Sequence, residues 1–337
     1  MIKLAIDAMG GDYAPKEIVQ GVNLAINEYN DLGLVLYGKT DEIKKYLKPH
    51  DRITIVDSPR VIDMGEHNPI SEVRNNRDSS LVMAFRAVRD KEVDGVVTAG
   101  PTQCVIAAAH VHIGRIKGMK RCALCPTLPT FKEKGTLMLD VGANTDIRPE
   151  HIAQYTQYAN FYAQEVKGIK NPKIYLLNIG TEPGKGRELE QLTYDLLSRL
   201  PINFCGNVES KEILTTDADI IVTDGFTGNV AMKAFEGTAK GMGELLKKEI
   251  KSSLGGKIGY LFMRKNLNRF KDHFNDDKVG GATLFGVDGT VIKAHGSSSA
   301  FAFANAIDLA YKSVKGDVVN KMKDFIQTHP FEEVNNG

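Results

Sequence analysis

The residues able to do chemistry in this chain are acids, amides and one lysine set among glycines. Asp7 precedes Gly10 and Gly11, and Gly100 and Thr102 follow Thr98. Asp140 precedes Asn144, and Gly180 and Lys185 lie in Asn178-Ile-Gly-Thr-Glu-Pro-Gly-Lys-Gly186. Asp224, Thr227, Gly228 and Asn229 lie in Thr223-Asp-Gly-Phe-Thr-Gly-Asn229, and His295, Gly296, Ser297 and Ser298 precede an Ala-rich run. Glycine lets backbone N–H groups approach a ligand closely. A helix N-terminus behind such a loop adds positive potential suited to an anion such as phosphate. For any single loop a tight turn is a sufficient account, and from spacing alone Lys185 reads equally well as an exposed turn lysine. Acid, amide and glycine recurring together point to a site. One lysine and one asparagine there can hold phosphate against an electrophile, a catalysis of positioning and electrostatic stabilisation.

Other chemistries fit less well. A P-loop needs G-x-x-x-x-G-K followed by Ser or Thr, but Gly180 to Gly184 is one residue short and Gly186 stands at the hydroxyl position. No G-x-G-x-x-G follows the first apolar run, no H-E-x-x-H occurs, and no G-x-S-x-G elbow occurs. His110 and His112 are two apart on a helical pattern and face different directions. Cys122 and Cys125 form a C-x-x-C pair without a second pair at zinc spacing, which reads as two small buried thiols. No metal site is expected. His295 and its serines are too close in sequence for a triad and read as donors to a ligand, with a helix cap as the plainer option.

These residues need a scaffold that gathers distant loops. Apolar, β-branched runs at Ile2–Ile6, Leu34–Tyr37, Val93–Val97, Thr136–Leu139, Ile174–Leu177 and Asp219–Val222 each end in a polar or Gly-rich loop followed by a helical pattern. The alternation predicts an α/β fold, a three-layer αβα sandwich around a mostly parallel, doubly wound sheet. Ligands bind at the carboxyl edge of such a sheet, so the loops are expected on one rim. One continuous domain over 1–330 is expected, with an excursion at about 238–280 and a frayed tail at 331–337.

The chain has 337 residues, 42% apolar and 25% charged, with a net charge of +1. No global field favours nucleic acid. Four cysteines suit a reducing compartment. The opening apolar run is shorter than a signal peptide needs and no run reaches ~20 apolar residues, so a soluble cytoplasmic protein is expected. Between Lys247 and Lys271 eight Lys/Arg face one acid, Glu249. Within this segment lie Leu254, Lys257, Ile258, Tyr260, Leu261, Phe262, Arg264 and Lys265. An apolar tip with basic flanks suits an interfacial membrane contact or an acidic protein; a hairpin packed on a subunit partner is the plainer alternative. Gly255, Gly256 and Gly259 argue against one long helix.

Six segments resemble the phosphate acyltransferase family of bacterial phospholipid synthesis: Ile6-Asp-Ala-Met-Gly-Gly-Asp12, Leu128-Pro-Thr130, Asp140-Val-Gly-Ala-Asn144, Leu177-Asn-Ile-Gly180, Thr223-Asp-Gly-Phe-Thr-Gly-Asn-Val230 and His295-Gly-Ser-Ser298. They span nearly the whole chain in family order. The resemblance implies attack of inorganic phosphate on the thioester of acyl-acyl carrier protein, giving acyl phosphate. It implies a fold similar to the isocitrate and isopropylmalate dehydrogenase and phosphotransacetylase group. It also implies no cofactor, a homodimer, peripheral membrane association, and delivery of acyl phosphate to a membrane glycerol-3-phosphate acyltransferase. By the same resemblance Lys185 and Asn229 are the catalytic residues. One segment departs: Thr98-Ala-Gly-Pro-Thr-Gln-Cys104 stands where the family reads Ser-Ala-Gly-Asn-Thr-Gly-Ala. Two rival classes are a decarboxylating dehydrogenase on the related fold and a non-enzymatic membrane scaffold.

Overall fold

The computed structural model describes residues 1–273 and 280–329, with side chains given outside 271–273. The tail at 331–337 and residues 274–279 of the expected excursion lie outside the described residues. In chain order the elements are β1 (Ile2–Asp7), α1 (Lys16–Ala25), β2 (Leu32–Gly38), α2 (Thr40–Lys44), β3 (Ile53–Asp57), α3 (Pro69–Asn75), α4 (Ser80–Arg89), β4 (Gly95–Thr98) and α5 (Thr102–Ala108). Then come β5 (Ala123–Leu128), β6 (Thr136–Leu139), α6 (Pro149–Glu165), β7 (Ile174–Asn178), α7 (Glu188–Arg199), β8 (Phe204–Glu209), β9 (Ile220–Val222) and α8 (Gly225–Ser252). The last are α9 (Leu254–His273), β10 (Ala282–Phe285), β11 (Thr290–Lys293), α10 (Ala300–Lys315) and α11 (Val318–Thr328).

The strands form one sheet in the order β3-β2-β1-β4-β11-β10-β5-β6-β9-β7-β8. Leu4, Ala5 and Ile6 on β1 and Val96 and Val97 on β4 are fully buried, as strands covered on both faces must be. Helices α1 and α10 cover one face of the first strands, around Phe303, Ile307 and Tyr311. On another face α4 and α5 pack in a core that continues to Met138, Leu177 and Ile221 and takes in Ala231 and Met232 of α8. Tyr155, Tyr158 and Tyr162 of α6 anchor a third core with α11. The expected mostly parallel αβα sheet is what the chain adopts.

The expected single rim is not. From β3 to β11 all strands run parallel, and from β6 to β8 they again run parallel to one another. Between the two blocks lie three antiparallel steps, β11–β10, β10–β5 and β5–β6. An odd number of reversals makes the second block run opposite to the first. The carboxyl ends of β1, β4 and β11 therefore lie on one edge of the sheet, and those of β6, β7 and β9 on the other. The strands responsible, β5 and β10, are short apolar runs outside the strand–Gly loop–helix pattern that carries the sequence reading.

Two further readings shift. Helix α8 starts at Gly225, inside the Gly-rich motif rather than after Val230, so Asn229 is a helical residue. The excursion is two helices broken at Ser253, where the backbone is extended, and the glycines at 255, 256 and 259 lie inside α9.

Candidate functional site

The loops of the first block are tied together by a buried acid. Asp7 Oδ1 accepts the Ser80 hydroxyl at 2.7 Å, and its Oδ2 accepts the Thr98 hydroxyl at 2.8 Å. Thr98 Oγ1 in turn accepts the Gly100 N–H at 2.9 Å. Burial raises the Asp7 pKa, opposed by the Ser80 and Thr98 hydrogen bonds. A Cβ on Gly10 would stand 2.4 Å from Asp7 Oδ2 and 2.8 Å from the Gly100 nitrogen, so only glycine lets this turn close. The Asp12 N–H donates to Gly296 O at 2.8 Å, which brings in the loop after β11. Ser299, not Ser297 or Ser298, caps α10 by accepting the Ala302 N–H at 3.2 Å. Thr102 opens α5, with Pro101 in the preceding position, where its missing N–H is outside the helical ladder. Cys104 is fully buried. The departure at 98–104 thus fits the local backbone.

A second buried acid organises the other edge. Asp140 Oδ1 accepts N–H groups of Leu124 at 3.0 Å, Gly142 at 3.2 Å and Ala143 at 2.9 Å. Its Oδ2 accepts the backbone N–H and the side-chain amide of Asn144, both at 2.8 Å. Burial still pushes its pKa up. Both carboxylate oxygens are engaged inside the protein, so Asp140 and Asn144 shape the loop. A Cβ on Gly228 would lie 2.0 Å from Asp140 O, which is why α8 can start directly against this loop.

Asp224 is the N-cap of α8. Its Oδ1 accepts the Phe226 and Thr227 N–H groups at 3.0 and 2.9 Å, and its Oδ2 accepts the Thr227 hydroxyl at 2.6 Å. The first-turn donors expected for a bound anion are therefore already used by a side chain of the protein. Arg187, a residue the sequence reading passed over, donates to Asp224 Oδ2 at 2.7 Å and to Thr227 Oγ1 at 3.4 Å, and also pairs with Glu190. Burial pulls the Asp224 pKa upward, but the bonds from Thr227 and Arg187 prevail and hold it below the usual carboxylate range.

Two side-chain amides fix the neighbourhood of Lys185. Asn178 Nδ2 donates to Lys185 O at 3.0 Å, and Asn207 Nδ2 to Glu182 O at 2.8 Å, so the β7–α7 loop is held from two sides. The Lys185 side chain is half exposed, with its ammonium 3.9 Å from Glu182 Oε1 and its methylenes against Gly180. Asn229 Nδ2 donates to Val141 O at 3.1 Å. The loop of Lys185 thus adjoins the first turns of α8, which carry Asn229, and Arg187 joins the two.

The edges meet along α8. Asn229, Lys233 and Glu236 fall at i, i+4 and i+7, on one face of the helix. Lys233 Nζ lies 2.9 Å from Glu236 Oε2 and 3.0 Å from His295 Nε2 in the loop after β11. Neither Lys233 nor Glu236 stood out in the sequence. Their helical spacing from Asn229 is the signal that finds them once α8 is known to start at Gly225.

His110 and His112 do point apart, to Cys122 Sγ and Val73 O respectively, and Cys122 and Cys125 are free buried thiols. Among the described residues no group of three His, Cys, Asp or Glu is placed to hold a metal. No described helix is long and apolar enough to cross a membrane. An open depression of about 520 Å³ is lined by residues from His67 to Asn75 and contains none of the loop residues above.

A family profile described as "Fatty acid synthesis protein" matches residues 2–321. A phosphate acyltransferase of Acholeplasma laidlawii is 47% identical over 334 residues, covering 97% of this chain and 99% of that protein. Another, from Bacillus cereus, is 45% identical, covering 94% and 96%. The chain belongs to the phosphate acyltransferase family. It is accordingly a transferase of fatty acid and lipid synthesis. A solved phosphotransacetylase from Streptococcus pyogenes superposes with a TM-score of 0.58 at 15% identity, over 95% of this chain and 94% of that one. At that identity the likeness speaks for the fold.

Proposed function

We propose that this phosphate acyltransferase moves an acyl group from acyl carrier protein to inorganic phosphate, with Lys185 and Asn229 at the reacting centre. The supporting observation is the Arg187 link, which ties the loop of Lys185 to the first turn of the helix that carries Asn229. A phosphate oxygen attacks the thioester carbon, the C–S bond breaks, and the thiolate leaves on the carrier and takes a proton from solvent. The Asn229 amide has two N–H donors, and one is used by Val141 O. The other is available to the carbonyl oxygen as it becomes an oxyanion. Losing such a donor costs on the order of a hundredfold or more in rate. The Lys185 ammonium offsets charge on phosphate or on that oxyanion. Phosphate near pH 7 is already anionic, so no general base is required. Asp7, Asp140 and Asp224 act as anchors of the loops that meet the substrates. The product feeds phosphatidic acid synthesis through a membrane glycerol-3-phosphate acyltransferase.

The test is to incubate acyl carrier thioester with phosphate and trap the product with hydroxylamine. Acyl hydroxamate is expected with the wild-type chain, and Lys185→Ala and Asn229→Ala should lower its rate of formation by on the order of a hundredfold or more while remaining folded. Full turnover in both variants removes them from the reacting centre, and absence of hydroxamate with the wild type removes the reaction.

We further propose that the α8–α9 hairpin touches the membrane. Leu254, Leu261 and Phe262 are 76%, 70% and 86% exposed, beside exposed Lys257, Arg264 and Lys265, with Ile258 and Tyr260 on the same helix. An apolar tip with cationic flanks suits an anionic lipid surface or the acidic carrier. A homodimer packed through the same helices is the competing use, and sedimentation of the full chain with and without vesicles separates the two.

A further inference from the structure

The charged cluster where α8 crosses to the loop after β11 has no part in the scheme so far. Four elements contribute to it. Helix α8 supplies Lys233 and Glu236, β11 supplies Lys293, the following loop supplies His295 and Ser297, and the β1–α1 loop supplies Asp12. The Lys233 ammonium donates to Glu236 Oε2 at 2.9 Å and lies 3.0 Å from His295 Nε2. Nδ1 lies 2.8 Å from the Ser297 hydroxyl and accepts the Ser297 backbone N–H at 3.2 Å. The ring is neutral in this arrangement, and burial followed by the Lys233 charge lowers its pKa accordingly.

Lys293 ends β11, two residues before His295. Its side chain is partly buried, and that burial lowers its pKa. Among the described residues it makes one hydrogen bond, to Ala294 O at 3.0 Å. A partly buried ammonium with unused N–H donors and no carboxylate in contact favours an anion that completes it. Such a group beside a second lysine, one helical turn from Asn229, stands where an attacking anion would have to be held.

We propose that Lys233 and Lys293 form the seat of the inorganic phosphate that attacks the thioester. The proposal rests on the acyl-transfer reading above and divides its labour: the first-block edge holds the nucleophile, while Asn229 and Lys185 on the second-block edge receive the carbonyl. Neighbours four apart on a helix have Cβ atoms about 5–6 Å apart, so a phosphate on Lys233 lies close to a carbonyl on Asn229. Glu236 and His295 are positioning residues that aim the Lys233 ammonium.

The pH dependence follows from the same contacts. Burial, then Lys233, depresses the Lys293 pKa to about 8, while Glu236 and Asp12 pull it upward. Phosphate affinity should therefore fall as pH rises through about 8.

The experiment uses full-length chain, inorganic phosphate, and two thioesters: acyl carrier protein and acyl-pantetheine, which lacks a phosphate. Lys233→Met and Lys293→Met should raise the KM for phosphate about ten- to a hundredfold with either thioester, the effect of losing one charge-assisted bond. The KM for thioester should stay constant, and Lys233→Arg should recover most of the loss. Phosphate should raise the wild-type thermal midpoint but not that of Lys293→Met. An unchanged KM for phosphate in folded variants overturns the assignment. So does a defect confined to the carrier thioester, which would give the seat to the phosphodiester of the carrier arm. If the wild type yields no hydroxamate, the acyl-transfer reading fails, while the thermal titration with phosphate still decides the seat.

Discussion

Replacing Arg187 by Met tests whether the loop of Lys185 and the first turn of α8 are held in register by one side chain. Arg187 contacts Asp224 and Thr227 at the head of α8 and Glu190 at the head of α7. The Asp224 side chain is 3% exposed, whereas that of Arg187 is 59% exposed. Breaking a fully buried ion pair costs about 3–5 kcal/mol, and exposed pairs contribute about 0–1 kcal/mol. Asp224 keeps its bonds to Thr227 and to two backbone N–H groups, so we expect an intermediate loss of about 1–2 kcal/mol. The pH signature is specific. Asp224 has a folded-state pKa held below its unfolded value near ~3.9, so its contribution is present above that value and is lost as pH falls through the folded one. Arg187→Met lessens the depression, and acid unfolding should begin at higher pH. Turnover should fall further than stability, because a shift of about 1 Å between reacting groups can cost about a hundredfold. Urea melts over an acid pH series and kcat/KM from hydroxamate formation are the assays. An unchanged acid transition together with full turnover would refute the reasoning.

Gly228→Ala should unfold or strongly destabilise the chain, because the new Cβ lands 2.0 Å from a backbone oxygen; thermal melting checks it. Thiol titration of the native protein should find one fast group, Cys205, since burial pushes Cys122 up to about 12 and Cys104 up to about 11, and Cys125 is fully enclosed. Equal labelling of all four would contradict the packing. Reversing charge at Lys257, Arg264 and Lys265 should abolish flotation with anionic vesicles and leave turnover of acyl-pantetheine intact.

The sequence by itself determined the elements that repeat a local code. An apolar run, a glycine and a polar residue specify a strand, a turn and a helix start through contacts within a few residues, and β1, β6, β7 and β9 were legible for that reason. So were the glycines at 10 and 228 and the basic, apolar-tipped segment. Tertiary structure alone decided direction and company. Three antiparallel steps through β10 and β5 reverse half the sheet, and strand direction is set by partners far away in the chain. Whether Asp7 and Asp140 face a ligand or the interior depended on Ser80, Thr98 and the 142–144 backbone. Lys233 meets His295 across 62 residues, and Arg187 meets Asp224 across 37. A lysine on a helix or an arginine at a helix start carries no mark of its partner, because charge pairing at that range is fixed only when the chain has folded.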